Sequence, residues 1–338
     1  MKLSLQSAPM MKTKLAVPLA SLLLASICGP CLAADAPAAA PPARKKAAKG
    51  PVSPDRIPSD LKTMTNIVFK KVGDTALDLM LFLPVEKKSE KSPLVVYIHG
   101  GGWGGGDKVN VLRRDLIEVI RELNRRGITC ASIEYRLANG APATANESVA
   151  DCKDAVRFLA RHAAQYGLDA DRIGTFGSSA GGHLTLVTAL GEDRDYPCDP
   201  ALDGPPVKIR CVAAYYPLTS FLRPELMKGS NFERPARLLP ILGGLLEEKR
   251  ELAGKLSPIE LLTLRSPPIF LAHGDADAVL SFTNSTALRD AAQALKVPVE
   301  CLISKGAGHG FRGDEIEPSV AEINRRTVEF FLKYLTVP

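Results

Sequence analysis

Hydrophobic positions along this chain switch repeatedly between two patterns. Short, nearly continuous apolar runs alternate with longer stretches in which apolar side chains recur every three or four residues, and the two patterns predict strands and helices respectively. Ile67-Val68-Phe69-Lys70-Lys71-Val72 and Leu77-Asp78-Leu79-Met80-Leu81-Phe82-Leu83 flank Gly73-Asp74 and predict an antiparallel hairpin. Leu94-Val95-Val96-Tyr97-Ile98 has no polar face, as expected of a strand covered on both sides in a parallel sheet. A helix capped by Asp107 and ended by Gly127 should follow, then a strand over 128–133. An amphipathic helix is predicted over 147–166, with Val149, Cys152, Val156, Leu159 and Ala160 on one stripe. Further strands are expected over 172–176, 206–216, 267–272 and 298–303, with helices from Leu184 onward, over 283–295 and over 316–335. This alternation predicts an α/β domain built on a central, mostly parallel sheet flanked by helices. Residues 218–262, after the sixth strand, break the rhythm with Pro224, Pro235, Pro240 and Gly243-Gly244. They read as a small lid or pocket-wall insertion at the carboxyl end of the sheet, where open α/β sheets place ligands.

Composition changes the picture mainly at the N-terminus. The formal charge of +6 suggests a polyanion-binding surface until it is located. Lys2, Lys12, Lys14, Arg44, Lys45, Lys46, Lys49 and Arg56 stand against Asp35, Asp55 and Asp60, so nearly all of the excess lies in residues 1–60 and no nucleic-acid partner is expected. Lys12 and Lys14 precede an apolar run over 15–28, broken by Gly29-Pro30 and followed by Leu32-Ala33-Ala34. This predicts a secretory signal peptide over 1–33, with an uncleaved anchor as the competing reading, and Met1 or Met11 as the start. Residues 34–60, rich in Ala, Pro and Lys, should form a disordered linker, leaving 61–338 as the folded domain of a secreted or periplasmic protein with no membrane contact after cleavage. Cys130, Cys152, Cys198, Cys211 and Cys301 would remain, an odd number that defines no disulfide framework, although Cys198 and Cys211 are placed where they could pair.

Candidate chemistry centres on Gly177-Ser178-Ser179-Ala180-Gly181, a G-x-S-x-G between a strand and a helix. A serine held on such a sharp turn needs neighbours without bulk two residues to either side, which Gly177 and Gly181 supply. It also needs a base and a group to orient that base. Of the five histidines, His162 should face solvent and His183 should pack within the helix that the serine opens. His99 and His273 each end a buried strand and should stabilise the adjoining loops. His309 lies in a glycine-flanked loop after the last strand and is the expected base. Asp277 is favoured over Asp275 as the orienting acid, because Ala278-Val279-Leu280 can pack it in place while Asp275 suits a turn hydrogen bond. His99-Gly100-Gly101-Gly102 offers backbone donors for a developing oxyanion, with Gly101 and Gly102 pointing inward and the amide of Ala180 joining them. A phosphate loop is excluded, since no Lys-Ser or Lys-Thr follows at the required spacing. Trp103, the sole tryptophan, is a candidate to line the substrate pocket by stacking on an aromatic acyl group or a sugar, or else to pack under the loop.

His99-Gly100-Gly101-Gly102-Trp103, Gly106-Asp107-Lys108, Glu134-Tyr135-Arg136-Leu137 and Gly177-Ser178-Ser179-Ala180-Gly181-Gly182-His183-Leu184 together resemble the α/β-hydrolase carboxylesterases with an HGGG oxyanion motif. These are hormone-sensitive-lipase-like in the broad sense, and the likeness is greatest to the bacterial branch of feruloyl and acetyl-xylan esterase-like enzymes. The resemblance covers roughly residues 61–336 and implies the α/β-hydrolase fold. It also implies a Ser179, His309, Asp277 triad, an oxyanion hole of Gly101, Gly102 and Ala180, and no metal or organic cofactor. Ser178 departs from the Asp of many relatives, and Ser281 from a Pro that would stiffen the acid loop. The expected activity is serine carboxylester hydrolysis through an acyl-enzyme, on small or carbohydrate-linked esters. The alternatives are a serine peptidase of the prolyl-oligopeptidase type, which this chain's lack of a propeller-sized N-terminal domain disfavours, and a catalytically silent binding protein.

Overall fold

The computed structural model describes residues 52–336 except Lys87 and Ala141, so the expected leader and residues 34–51 of the expected linker lie outside the described residues. Eight apolar runs form one sheet: β1 (Lys62–Val72), β2 (Thr75–Leu83), β3 (Ser92–Ile98), β4 (Thr129–Ile133), β5 (Leu168–Ser178), β6 (Ile209–Tyr215), β7 (Ile269–Gly274) and β8 (Val299–Ser304). Their spatial order is β1-β2-β4-β3-β5-β6-β7-β8. The β1–β2 hairpin and its junction with β4 are antiparallel, and the remaining pairings are parallel. Every residue of β4 and β7 is buried, in keeping with strands that lack a polar face.

Helices cover both faces. On one side, α1 (Arg114–Arg125) and the last helix, α9 (Val320–Leu335), bury Ile120, Leu123, Val328 and Phe331. On the other, α2 (Ala145–Arg161), α4 (Ala180–Leu190) and α8 (Thr283–Ala294) bury Val149, Val156, Leu184, Val187 and Leu288. The short α3 (Ala163–Tyr166) continues α2 after a break. Residues 218–262 form short helices α5 (Pro224–Met227), α6 (Pro235–Leu242) and α7 (Arg250–Lys255) with intervening 3-10 turns, as the proline spacing predicts. Among the described residues no helix is long and apolar enough to cross a membrane.

Several boundaries differ from expectation for identifiable reasons. The packed domain reaches back beyond Leu61: Val52 is buried, its amide donates to Asn66 Oδ1 at 3.1 Å, and Asp60 accepts from Arg121 at 2.8 Å. Asp107 makes no capping bond, and the helix expected from it is split into a 3-10 turn over Lys108–Leu112 and α1. Lys108 is drawn inward, its amine 2.8 Å from Asp78 and its amide 3.2 Å from Glu134, a geometry that a single straight helix would not deliver. Helix α2 starts two residues early because Thr144 and Glu147 form a capping box. It ends at His162, whose ring stacks on Phe158 at 4.2 Å and is half-buried instead of solvated. The described cysteines are free thiols, so Cys198 and Cys211 are not paired.

The polar stripe of α2 is buried too. Asp151 accepts from Arg136 and lies 2.8 Å from Lys70, while Asp154 contacts Lys70 at 2.6 Å and Arg157 at 2.7 Å. Burial opposes the charge on Lys70, but the two carboxylates outweigh it and raise its pKa. This network joins the edge strand β1, the Glu134-Tyr135-Arg136 turn and α2 beneath the sheet.

Candidate active site

Strand β5 runs into Ser179, which has φ 56° and ψ −123°, and α4 begins at the next residue. The strained turn is held by the Ser179 amide donating to Tyr215 O at 2.9 Å. A Cβ on Gly177 would lie 2.1 Å from Gly181 O, and one on Gly181 would lie 2.1 Å from Ile98 O. Both glycines are therefore required by close backbone approach, as the spacing predicts.

Above this turn the structure brings together the three side chains expected to cooperate. His309 Nε2 lies 3.0 Å from Ser179 Oγ, and its Nδ1 lies 2.7 Å from Asp277 Oδ2. A carboxylate can only accept, so Nδ1 carries the proton and Nε2 presents its lone pair to the serine hydroxyl. Asp277 is buried, with Oδ1 accepting from the amides of Val279 and Leu280 at 2.8 and 2.9 Å. Burial pushes its pKa up, but donors from His273 and His309 outweigh that and hold it well below the usual carboxylate range. Asp275 instead accepts from the Gly306 amide at 2.7 Å, the turn role expected of it. Ser281 Oγ accepts from Thr283 at the start of α8, so the acid loop is tied down without the proline.

The loop after β3 carries the two glycines expected as donors. Gly101 and Gly102 have φ of +131° and +60°, and a Cβ on Gly101 would lie 2.3 Å from Gly105 O. Neither amide, nor that of Ala180, donates to a backbone carbonyl among the described residues. For Ala180 this follows from its place in the first turn of α4, where amides have no intrahelical acceptor. The loop is tethered by Tyr135, whose hydroxyl donates to His99 O at 2.7 Å and whose ring stacks on His99 at 4.2 Å.

Trp103 does not line the pocket. It is 1% exposed and packs edge-on against Phe232 and His183, at 5.3 and 5.2 Å. Its indole Nε1 donates to His183 Nδ1 at 3.1 Å, which leaves the proton of that ring on Nε2, 2.6 Å from Leu256 O. The expectation of stacking on substrate is thus corrected: the ring is held by partners from α4 and the insertion. Burial lowers the His183 pKa to about 4, with the Leu256 carbonyl acting the other way. The native state therefore resists protonation that the unfolded chain accepts below an ordinary imidazole pKa of about 6.5, so stability is full above that pH and lost as pH falls toward 4. Urea titrations from pH 7 to 4 should show a loss of about 3 kcal/mol from this ring, and His183→Gln should flatten that slope. An unchanged slope in the variant would assign the acid sensitivity elsewhere.

Two residues at the site escaped the sequence reading. Tyr216, with φ 40°, packs its ring edgewise against His309 at 4.7 Å, and burial pushes its hydroxyl up to about 12 despite a hydrogen bond with Ser178. Ser178 also meets Tyr97 at 3.0 Å, so the position of the missing Asp is filled by a neutral, buried hydroxyl cluster. His273, expected only to stabilise its loop, reaches Asp277. Its spacing of four residues from Asp277 at a strand end was the available signal. Among the described residues no group of three or more His, Cys, Asp or Glu is placed to hold a metal ion.

The sheet order, the strained serine turn and the loop positions of Asp277 and His309 define an α/β-hydrolase fold. The chain belongs to the BD-FAE family, whose profile matches residues 77–292. Similar curated proteins include the esterase LipQ of Mycobacterium tuberculosis, 27% identical over 60% of this chain and 47% of that protein. An arylesterase of Saccharolobus solfataricus is 32% identical over 40% of this chain and 41% of its own length. The chain spans about half the length of the curated relatives it matches. Among solved structures, Thermogutta terrifontis esterase 2 with butyrate bound is 24% identical with a TM-score of 0.67, over 84% of this chain and 98% of that one. A truncated carbohydrate esterase from gut microbiota is 20% identical with a TM-score of 0.66, over 86% of this chain and 100% of that one.

Proposed function

We propose that the protein is an exported serine carboxylester hydrolase that acts through an acyl-enzyme on small or carbohydrate-linked esters. The observation that carries this reading is the continuous hydrogen-bonded chain from Ser179 through His309 to Asp277, with the glycine loop close by at Gly100, where a Cβ would lie 3.2 Å from Ser179 Cβ. Ser179 Oγ attacks the acyl carbon as its proton passes to His309 Nε2, and the carbonyl electron pair moves onto oxygen, where the amides of Gly101, Gly102 and Ala180 stabilise it. Asp277 holds His309 in the required tautomer and balances the imidazolium charge. Collapse expels the alcohol, which takes the proton from His309, and leaves Ser179 acylated. Water then attacks the acyl group, gives its proton to His309 and releases the acid as Ser179 is reprotonated. The insertion over 218–262 is assigned the wall of the acyl or alcohol pocket.

The names of the relatives favour ester over peptide substrates, since LipQ, the arylesterase and the gut carbohydrate esterase are all esterases. Thermogutta terrifontis esterase 2 is phosphorylated by paraoxon, and the same reagent provides the test. Paraoxon should add one diethylphosphoryl group, located to Ser179 by peptide mass spectrometry, and should stop hydrolysis of nitrophenyl acetate. An adduct elsewhere, or activity that survives complete labelling, would sink the assignment. Comparing nitrophenyl esters of increasing chain length with feruloyl esters and acetylated xylan then defines the substrate.

A further inference from the structure

We propose that His273 is a positioning residue for catalysis, holding the Asp277 carboxylate in the one orientation that serves His309; this rests on the triad reading above. The His273 ring is fully buried at the end of β7. Its Nε2 lies 2.9 Å from Leu280 O and 3.3 Å from Asp277 Oδ2, and its Nδ1 lies 2.8 Å from Ser285 Oγ. A carbonyl only accepts, so the ring proton sits on Nε2 and Nδ1 accepts from the Ser285 hydroxyl. The same Nε2–H is thereby aimed between Leu280 O and Asp277 Oδ2.

Both oxygens of Asp277 are then held, Oδ1 by the amides of Val279 and Leu280 and Oδ2 by His309 with the His273 Nε2–H as a longer, shared contact. Rotating the carboxylate breaks bonds at both oxygens, so the lone pair that meets His309 Nδ1 is fixed before substrate arrives. The second imidazole also draws off part of the Oδ2 charge that would otherwise fall on His309. The polar and titratable groups facing His273 are Asp277 from its own loop, Ser285 from α8, Tyr216 from the end of β6 at 6.5 Å, and His309 through the shared oxygen. Ser285 in turn sits in the first turn of α8, its amide 3.0 Å from Phe282 O, so the helix start fixes the tautomer of His273.

His273→Leu should lower kcat for nitrophenyl acetate by about 10- to 100-fold with KM within about threefold, the loss expected when a hydrogen bond to a charged group is removed. His273→Gln, whose amide nitrogen replaces Nε2, should recover most of kcat. Unchanged kcat in a folded His273→Leu protein overturns the proposal, as does equal impairment of the Leu and Gln variants. If His273→Leu does not fold, Ser285→Ala decides: release of the tautomer should cost about 3- to 10-fold in kcat, and no loss overturns it. Turnover retained by Ser179→Ala would overturn the triad reading itself. An inactive Ser179→Ala beside a fully active His273→Leu would overturn only the role of His273.

Discussion

Ser179→Ala should abolish ester hydrolysis, with kcat/KM for a short-chain nitrophenyl ester falling by about 10⁴- to 10⁶-fold. The fall is large because the three groups act as a unit. Without Oγ, His309 has no proton to take at Nε2 and the oxyanion amides have no tetrahedral adduct to stabilise. The variant should fold as the native chain does, since the bond that secures the turn runs from the Ser179 amide to Tyr215 O and does not involve the side chain. Circular dichroism and a thermal melt should therefore match the native protein while activity is lost. Turnover within tenfold of native would show that the nucleophile lies elsewhere.

The largest effect on stability is expected at Asp154, far from any reacting atom. Its carboxylate lies 2.6 Å from Lys70 and 2.7 Å from Arg157, and it accepts from the Asp199 amide at 3.1 Å, all with negligible exposure of the carboxylate itself. Asp154→Ala takes from Lys70 and Arg157 one of the two carboxylates each meets, leaving Asp151 and Asp193 respectively, and should cost about 3 kcal/mol in urea denaturation. Adding Lys70→Met should recover part of that loss, because it removes one of the buried cations left in excess while Asp151 keeps Arg136. A single-variant cost below about 1 kcal/mol would mean that water reaches the cluster and replaces the carboxylate.

What the sequence could show and what it could not divide along physical lines. The strands were legible because β3, β4 and β7 have no polar face, and the serine turn because Gly177 and Gly181 leave a mark that backbone crowding alone explains. Pairings made by side chains distant in sequence were not. The inward pull of Asp78 and Glu134 on Lys108 splits a helix that Asp107 looked suited to cap. The buried face of α2 also carries Asp151, Lys153, Asp154 and Arg157, whose partners, Lys70 and Arg136 for the carboxylates and Asp193 for the cations, lie elsewhere in the sequence. Trp103 illustrates the same limit at the site, whereas His273 stands only four residues from Asp277 and its contact was open to a local reading. Trp103 adjoins a recognisable motif but takes its meaning from His183, 80 residues away, which the folded chain brings to it.

The link from Trp103 through His183 ends on a main-chain carbonyl, that of Leu256. Any residue at 256 presents that oxygen, so this one tie between the insertion and the Ser179 turn is independent of the side chain at 256, while the ring contacts of Phe221 and Phe232 with Trp103 are not. A replacement segment must therefore return a carbonyl to the same point and apolar rings against Trp103 and His183. Under the proposed ester hydrolysis, a graft that keeps those contacts would change the pocket wall while leaving Ser179, His309 and Asp277 where they are.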